Sequence, residues 1–177
     1  MKFVLTAIVG LLWLGQTSAA AVEARDPCNA PSTASPFFRA FNAKATDHFY
    51  TTNAVELINA INKLGYASEG IAASVFTSQL PSTIPLFRLL NAQIVDHFYT
   101  TSAAERDNAI ANFGYVSEGT AAFVYGSQIC NSIPLFRMVS ESTGDHFYTT
   151  SVAELNNAIA HDGYTFEGTA AFVLPAP

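Results

Sequence analysis

The string Asp-His-Phe-Tyr-Thr-Thr occurs three times, beginning at Asp47, Asp96 and Asp145, 49 residues apart. It sets an acid, an imidazole and a phenol side by side, the ingredients of proton handling, metal ligation or hydrogen bonding to a sugar. Arg39, Arg88 and Arg137 keep the same spacing, as do Glu56, Glu105 and Glu154, and Glu69, Glu118 and Glu167. Polar residues repeated in this way have two explanations. Either each unit needs them to hold itself together, or each unit presents one copy of a binding site.

Strand geometry narrows the choice. Neighbouring side chains on a strand point to opposite faces, so Asp47 and His48 cannot form a dyad with each other. His48 shares a face with Tyr50, and Asp47 shares one with Phe49 and Thr51. The pairs His48 and Tyr50, His97 and Tyr99, and His146 and Tyr148 are therefore the candidate ligand-binding face, turned outward or into a cleft. A ring carrying a hydroxyl, beside an imidazole, suits stacking on and hydrogen bonding to a sugar. A core tyrosine beside a satisfied histidine is the competing reading. Arg39, Arg88 and Arg137 either contact ligand or pair bidentately with Asp47 or Glu69 and their equivalents. Tyr66, Tyr115 and Tyr164 are weaker candidates.

Other chemistries find less support. Three histidines from three units could converge as a metal site, but the spacing does not ask for one, so no metal is assigned. There is no nucleophile elbow, no HExxH, no CxxC and no glycine-rich phosphate loop, so no catalytic residue and no cofactor is assigned. Carboxylates for glycoside hydrolysis could be assembled from Asp47 and Glu69, which keeps a hydrolase as a third reading. The non-repeated polar residues Lys44, Lys63, Arg106, Asp107, Glu141, His161 and Asp162 fall on helix surfaces or loops.

The elements that must position these residues follow from the repeat. Aligning 36–79, 85–128 and 134–177 gives 20 positions identical in all three copies. Each copy opens on a strand started by proline, as at Pro85, where a missing amide is tolerated. A second strand carries Asp-His-Phe-Tyr-Thr, rich in aromatic and β-branched residues. Ser102 to Glu105 and Ser151 to Glu154 then read as capping boxes, with Asn53 to Glu56 a close variant, so the three glutamates are assigned to capping. Leu57, Ala60, Ile61 and Leu64 form the apolar stripe of a helix. Gly65, Gly114 and Gly163 stop it. Tyr66 to Glu69 and Ala72 to Phe76 read as two short strands broken by Gly70.

The expected fold is therefore α+β: three β-β-α-β-β units of 49-residue period, 36–84, 85–133 and 134–177, in one domain over 36–177. A unit this small cannot cover both its sheet and its helix, so the units must stack. Closure around a pseudo-threefold axis is favoured over a row, because the end copies are as faithful as the middle one.

Composition sets the compartment. Met1 to Ala20 has an early lysine, a short apolar run and small residues before the cut, which describes a secretory signal peptide. Residues 21–35 form an N-terminal segment holding Cys28. Half of the chain is hydrophobic and its pI is near 5.0, without a basic run. This excludes disorder and argues against nucleic acid, or a membrane surface once the leader is removed, as a partner. Cys28 and Cys130 are the two cysteines, and in an oxidising compartment they pair.

The middle copy, Pro85-Leu-Phe-Arg through Asp96-His-Phe-Tyr-Thr-Thr-Ser-Ala-Ala-Glu-Arg to Gly114-Tyr-Val-Ser-Glu-Gly-Thr-Ala-Ala-Phe-Val, resembles a secreted repeat family of bacteria and fungi catalogued as a domain of unknown function, sometimes found beside hydrolase domains. The resemblance covers the whole mature chain. It implies an extracellular, non-catalytic module and brings no ligand. The function expected is binding of extracellular or cell-wall carbohydrate, a polysaccharide or glycan, through up to three equivalent sites. The alternative is a secreted interaction protein or effector with a host or microbial protein as partner.

Overall fold

The computed structural model describes Cys28 and residues 33–177. The expected leader over 1–20 and most of the segment over 21–35 lie outside the described residues. The fold is mixed α+β, mostly strand, with three short helices. Its elements are β1 (Ser35–Asn42), β2 (Asp47–Thr51), α1 (Ala54–Leu64), β3 (Ala67–Val75), β4 (Thr83–Asn91), β5 (Asp96–Thr100), α2 (Ala103–Asn112), β6 (Val116–Tyr125), β7 (Ile133–Ser140), β8 (His146–Thr149), α3 (Val152–His161) and β9 (Tyr164–Val173).

The helices start where the capping residues stand. The Asn53 side chain accepts the Val55 and Glu56 amides, while Ser102 and Ser151 accept those of Glu105 and Glu154. The return half of the box differs from expectation. The cap amides of Asn53, Ser102 and Ser151 donate to Thr51, Thr100 and Thr149, each at 3.0 Å. That leaves the three glutamate side chains free to work elsewhere. Gly65 closes α1 in the left-handed conformation at φ 80°, which glycine adopts without a Cβ penalty.

The last two strands expected in each copy are one. β3, β6 and β9 run through Gly70, Gly119 and Gly168, whose φ values are 88°, 93° and 121°. The register shifts between Arg39 and Ala40 where Arg39 faces Gly70. A positive-φ glycine lets the strand absorb an extra residue as a bulge, so it bends where a break was expected.

Within each copy the first strand is central and antiparallel to both neighbours. The orders are β2-β1-β3 in a three-stranded sheet and β5-β4-β6-β9-β7-β8 in a six-stranded one. The ends of the long strands meet: Phe76 bridges Phe123, Tyr125 pairs with Phe172, and Ser74 bridges Leu174. The central core takes the same positions from each copy, namely Phe37, Leu86 and Leu135, Tyr50, Tyr99 and Tyr148, and Val75, Val124 and Val173. Smaller clusters lie under the helices, such as Ala40, Phe49, Leu57, Ala60 and Tyr66. Arg106, expected on a helix surface, stands where α1 and α3 carry Leu57 and Leu155, and its guanidinium lies 4.4 Å above the Phe87 ring.

A disulfide joins Cys28 to Cys130 across 102 residues, tying the segment before β1 to the turn before β7. Among the described residues no helix is long and apolar enough to cross a membrane.

Candidate functional site

The second strand of each copy is covered on both faces. Tyr50, Tyr99 and Tyr148 are 0–1% exposed. Their rings form an edge-to-face triangle, with centroids 5.4–5.6 Å apart and interplanar angles near 80°. The Tyr50 hydroxyl donates to the Tyr148 carbonyl at 2.6 Å and accepts the Tyr148 amide at 2.9 Å. Tyr99 does the same to Tyr50, and Tyr148 to Tyr99. Burial pushes all three phenols up. This corrects the expected outward His-Tyr face. The hydroxyls are spent on the backbone of the neighbouring copies, because the cover for each strand comes from residues about 49 or 98 positions away.

The histidines also reach across copies. His97 donates from its amide and from Nδ1 to Asp47, at 2.8 and 2.7 Å. His146 does so to Asp96, and His48 to Asp145. Tyr66, Tyr115 and Tyr164 donate to the same three carboxylates. Burial, and then the adjacent carboxylate, pushes those phenols well up. The aspartates are fully buried, and an oxygen from each lies within 4.8 Å of the others. The residues that converge are thus the aspartates, where a three-histidine set had been weighed. Each carboxylate is engaged by an amide, an imidazole and a phenol, so both oxygens of every aspartate are hydrogen-bonded within the network.

The arginines clamp one copy to the next. Arg88 donates bidentately to Glu56 at 3.1 and 2.8 Å, lies 5.2 Å above the Phe49 ring, and brings Nε to 2.8 Å from Glu118. That last contact is an ion pair without an aligned hydrogen bond. Arg137 repeats the pattern with Glu105, Phe98 and Glu167. Arg39 repeats it with Glu154, Phe147 and Glu69. Glu69 was an expected arginine partner. The helix-start glutamate of the preceding copy was not, and its signal was its strict identity in all three copies, which capping alone does not demand.

Two grooves lie over these clamps. The first, about 880 Å³, takes Phe49, Glu56 and Tyr66 from one copy and Arg88, His97 and Glu118 from the next. The second, about 410 Å³, takes Phe98, Glu105 and Tyr115, then Arg137, His146 and Glu167. In each groove the predicted arginine and histidine therefore come together from one copy, facing the phenylalanine, glutamate and tyrosine of the neighbouring copy, without Tyr50, Tyr99 or Tyr148. Sequence reasoning missed Phe49, Phe98 and Phe147, the rings beneath each arginine, because strand alternation put them on the face opposite the His-Tyr pairs.

The grooves hold fixed charge of both signs beside apolar walls, which suits hydrogen bonding to an uncharged, hydroxyl-rich ligand. Glycoside hydrolysis needs one carboxyl held protonated near neutral pH, and Glu56 and Glu105 are not set for that part. Burial pushes Glu56 upward, but hydrogen bonds from Arg88 and Thr51 outweigh it and hold the carboxyl below its usual range. Glu105 and Glu154 are held down in the same way by Arg137 and Arg39.

A family described as a domain of unknown function (DUF5648) matches residues 36–174, and the chain belongs to it. No curated protein and no solved structure gives a significant match.

Proposed function

We propose that this member of the family is a secreted, non-catalytic binding module. Its three like units close around a pseudo-threefold axis, and the grooves between them take extracellular or cell-wall glycan. The cyclic Tyr50, Tyr148 and Tyr99 hydrogen bonds support the closure, since each copy gives and receives the same pair. The observation that carries the binding reading is that two grooves are lined by the same set of triplicated residues, drawn from different copies. Weak sites repeated on one rigid body gain avidity on a repeating polymer. The Cys28–Cys130 disulfide supports an oxidising destination.

The test is retention of the mature protein on chitin, β-glucan, cellulose and peptidoglycan. Retention on one polymer is expected to weaken with substitutions at the groove positions Glu56 and Glu105 that preserve the fold by circular dichroism. Free passage through all four columns by a folded protein refutes the reading.

A protein partner is the second reading, favoured by one asymmetry. α1 exposes Val55, Ile58 and Leu64, at 65%, 54% and 64%. α2 and α3 carry Ala104, Asp107, Phe113 and Ala153, Asn156, Asp162 at the corresponding places. The second helix region exposes Ile110 and Phe113 and the third Val152 and Ile159, so the three-residue strip on α1 is the widest and would take the largest binding losses.

A further inference from the structure

We infer that the groove between the first and second units is the dominant binding cavity of this chain, and that Ile94 closes its counterpart between the second and third. The identity of the occupant, an uncharged glycan chain, rests on the function proposed above. The two grooves share their floor, residue type for residue type, yet the first has about twice the volume, about 880 against 410 Å³.

The difference arises at the rim. The loops after the first strands of the flanking units line both grooves, Lys44 and Ala45 with Ala92 and Val95 in the first and Ile94 with Gly144 in the second. Ile94 reaches fully across its groove. A Cβ placed on Gly144 would stand 2.7 Å from Ile94 Cδ1, so the isoleucine lies against the facing loop where that loop has no side chain. Gly144 is also at φ 83°, a conformation that disfavours replacing it. In the first groove the matching position is Ala45, whose single methyl cannot span the opening.

Charge at the rim separates the grooves again. In the first, Glu56 and Glu118 are balanced by Arg88 and by Lys44. In the second, Glu105 and Glu167 face Arg137 with no lysine. His97 and His146 stand alike in the two. A groove whose carboxylates and cations cancel favours an uncharged ligand that hydrogen-bonds to both signs, whereas surplus carboxylate in a partly buried groove leaves charge less well compensated. Apolar Val55, Leu64 and Leu90 extend the first groove's walls and suit the ring faces of a sugar chain.

The experiment reads the cavity separately from its occupant. Nile red, an uncharged apolar fluorescent probe, is titrated into the wild type, Ala45→Trp and Ile94→Ala, with the fold checked by near-ultraviolet circular dichroism. One equivalent is expected on the wild type. Ala45→Trp should weaken it at least about tenfold. Ile94→Ala, which only trims a side chain 45% exposed, should add a second equivalent. No probe binding, three equal sites, or a titration unmoved by either variant overturns the inference. Chitin and β-glucan hexasaccharides are then titrated into the same proteins. If the probe behaves as expected and neither sugar binds, the dominant cavity stands and the glycan reading falls. If sugar binds with equal strength to wild type and folded Ala45→Trp, the assignment of the first groove falls while the binding function survives.

Discussion

Replacing Tyr99 by phenylalanine removes one oxygen and nothing else, from a ring 1% exposed. That oxygen serves two backbone groups of Tyr50, accepting its amide at 2.8 Å and donating to its carbonyl at 2.7 Å. Both lie in the core, where water does not replace the lost partner. Stranding a buried amide costs about 1–3 kcal/mol, and the carbonyl adds to it. The ring keeps its edge-to-face contacts with Tyr50 and Tyr148, so no cavity term enters. About 2–4 kcal/mol is the expected loss, and for a domain of this size each kcal/mol lowers Tm by about 2–4 °C. Calorimetry should therefore show Tm falling by about 4–16 °C for Tyr99→Phe, with similar falls for Tyr50→Phe and Tyr148→Phe. Residual ligand binding, measured well below each Tm, should be unchanged. A Tm within about 2 °C of wild type in all three variants would refute the reasoning that the hydroxyls lock copy to copy. Lost binding at unchanged Tm would return the tyrosines to the ligand site.

The remaining predictions concern the same couplings. All six phenols of the two repeated tyrosine positions are pushed up on folding. Unfolded tyrosine loses its proton near about pH 10, so above that pH the folded chain holds more protons than the unfolded one. Stability is then complete below about pH 10 and falls as pH rises beyond it; tyrosinate absorbance should appear in one step with loss of near-ultraviolet circular dichroism, and gradual ionisation of a folded protein would count against the network. At the acid end Glu56, Glu105 and Glu154 are held below their usual range, so the stability they add is present above about pH 4.3 and lost as pH falls through their lowered values. Acid titrations of Glu56→Gln should show a shallower loss than wild type. Arg88→Ala leaves Glu56 and Glu118 without their cation at a junction between copies and should cost about 2–4 kcal/mol in urea unfolding, a cost that Arg88→Lys recovers only in part because lysine lacks the fork. Cys28→Ser with Cys130→Ser opens a loop of 102 residues and should cost about 4.7 kcal/mol on the chain-entropy account, visible as a lower urea midpoint.

Local chemistry was legible in the residues wherever its cause was local. Asn53, Ser102 and Ser151 start helices because a side-chain oxygen meets an amide two or three residues on. Gly65 ends one because it alone enters the left-handed region freely. The pairing of Cys28 with Cys130 was likewise readable, from a count of two. The alternation of Asp47 and His48 across a strand was also sound. It could not say what lay over either face.

That was decided by the assembly of the copies. β2 is buried along its whole length. Its cover includes the Tyr99 hydroxyl, the Asp145 carboxylate and the imidazole of His97, none of which is nearby in sequence. For the same reason the capping glutamates serve the arginines of the next copy, and the tyrosines that looked like ligand platforms became the centre of the core. A triplicated residue announces only that three copies need it. Whether it meets solvent, its own unit or the neighbouring unit depends on how the units pack against one another. The same chemistry, Arg with Glu and His with Asp, satisfies a unit and joins two units equally well, and only the tertiary structure selects between them.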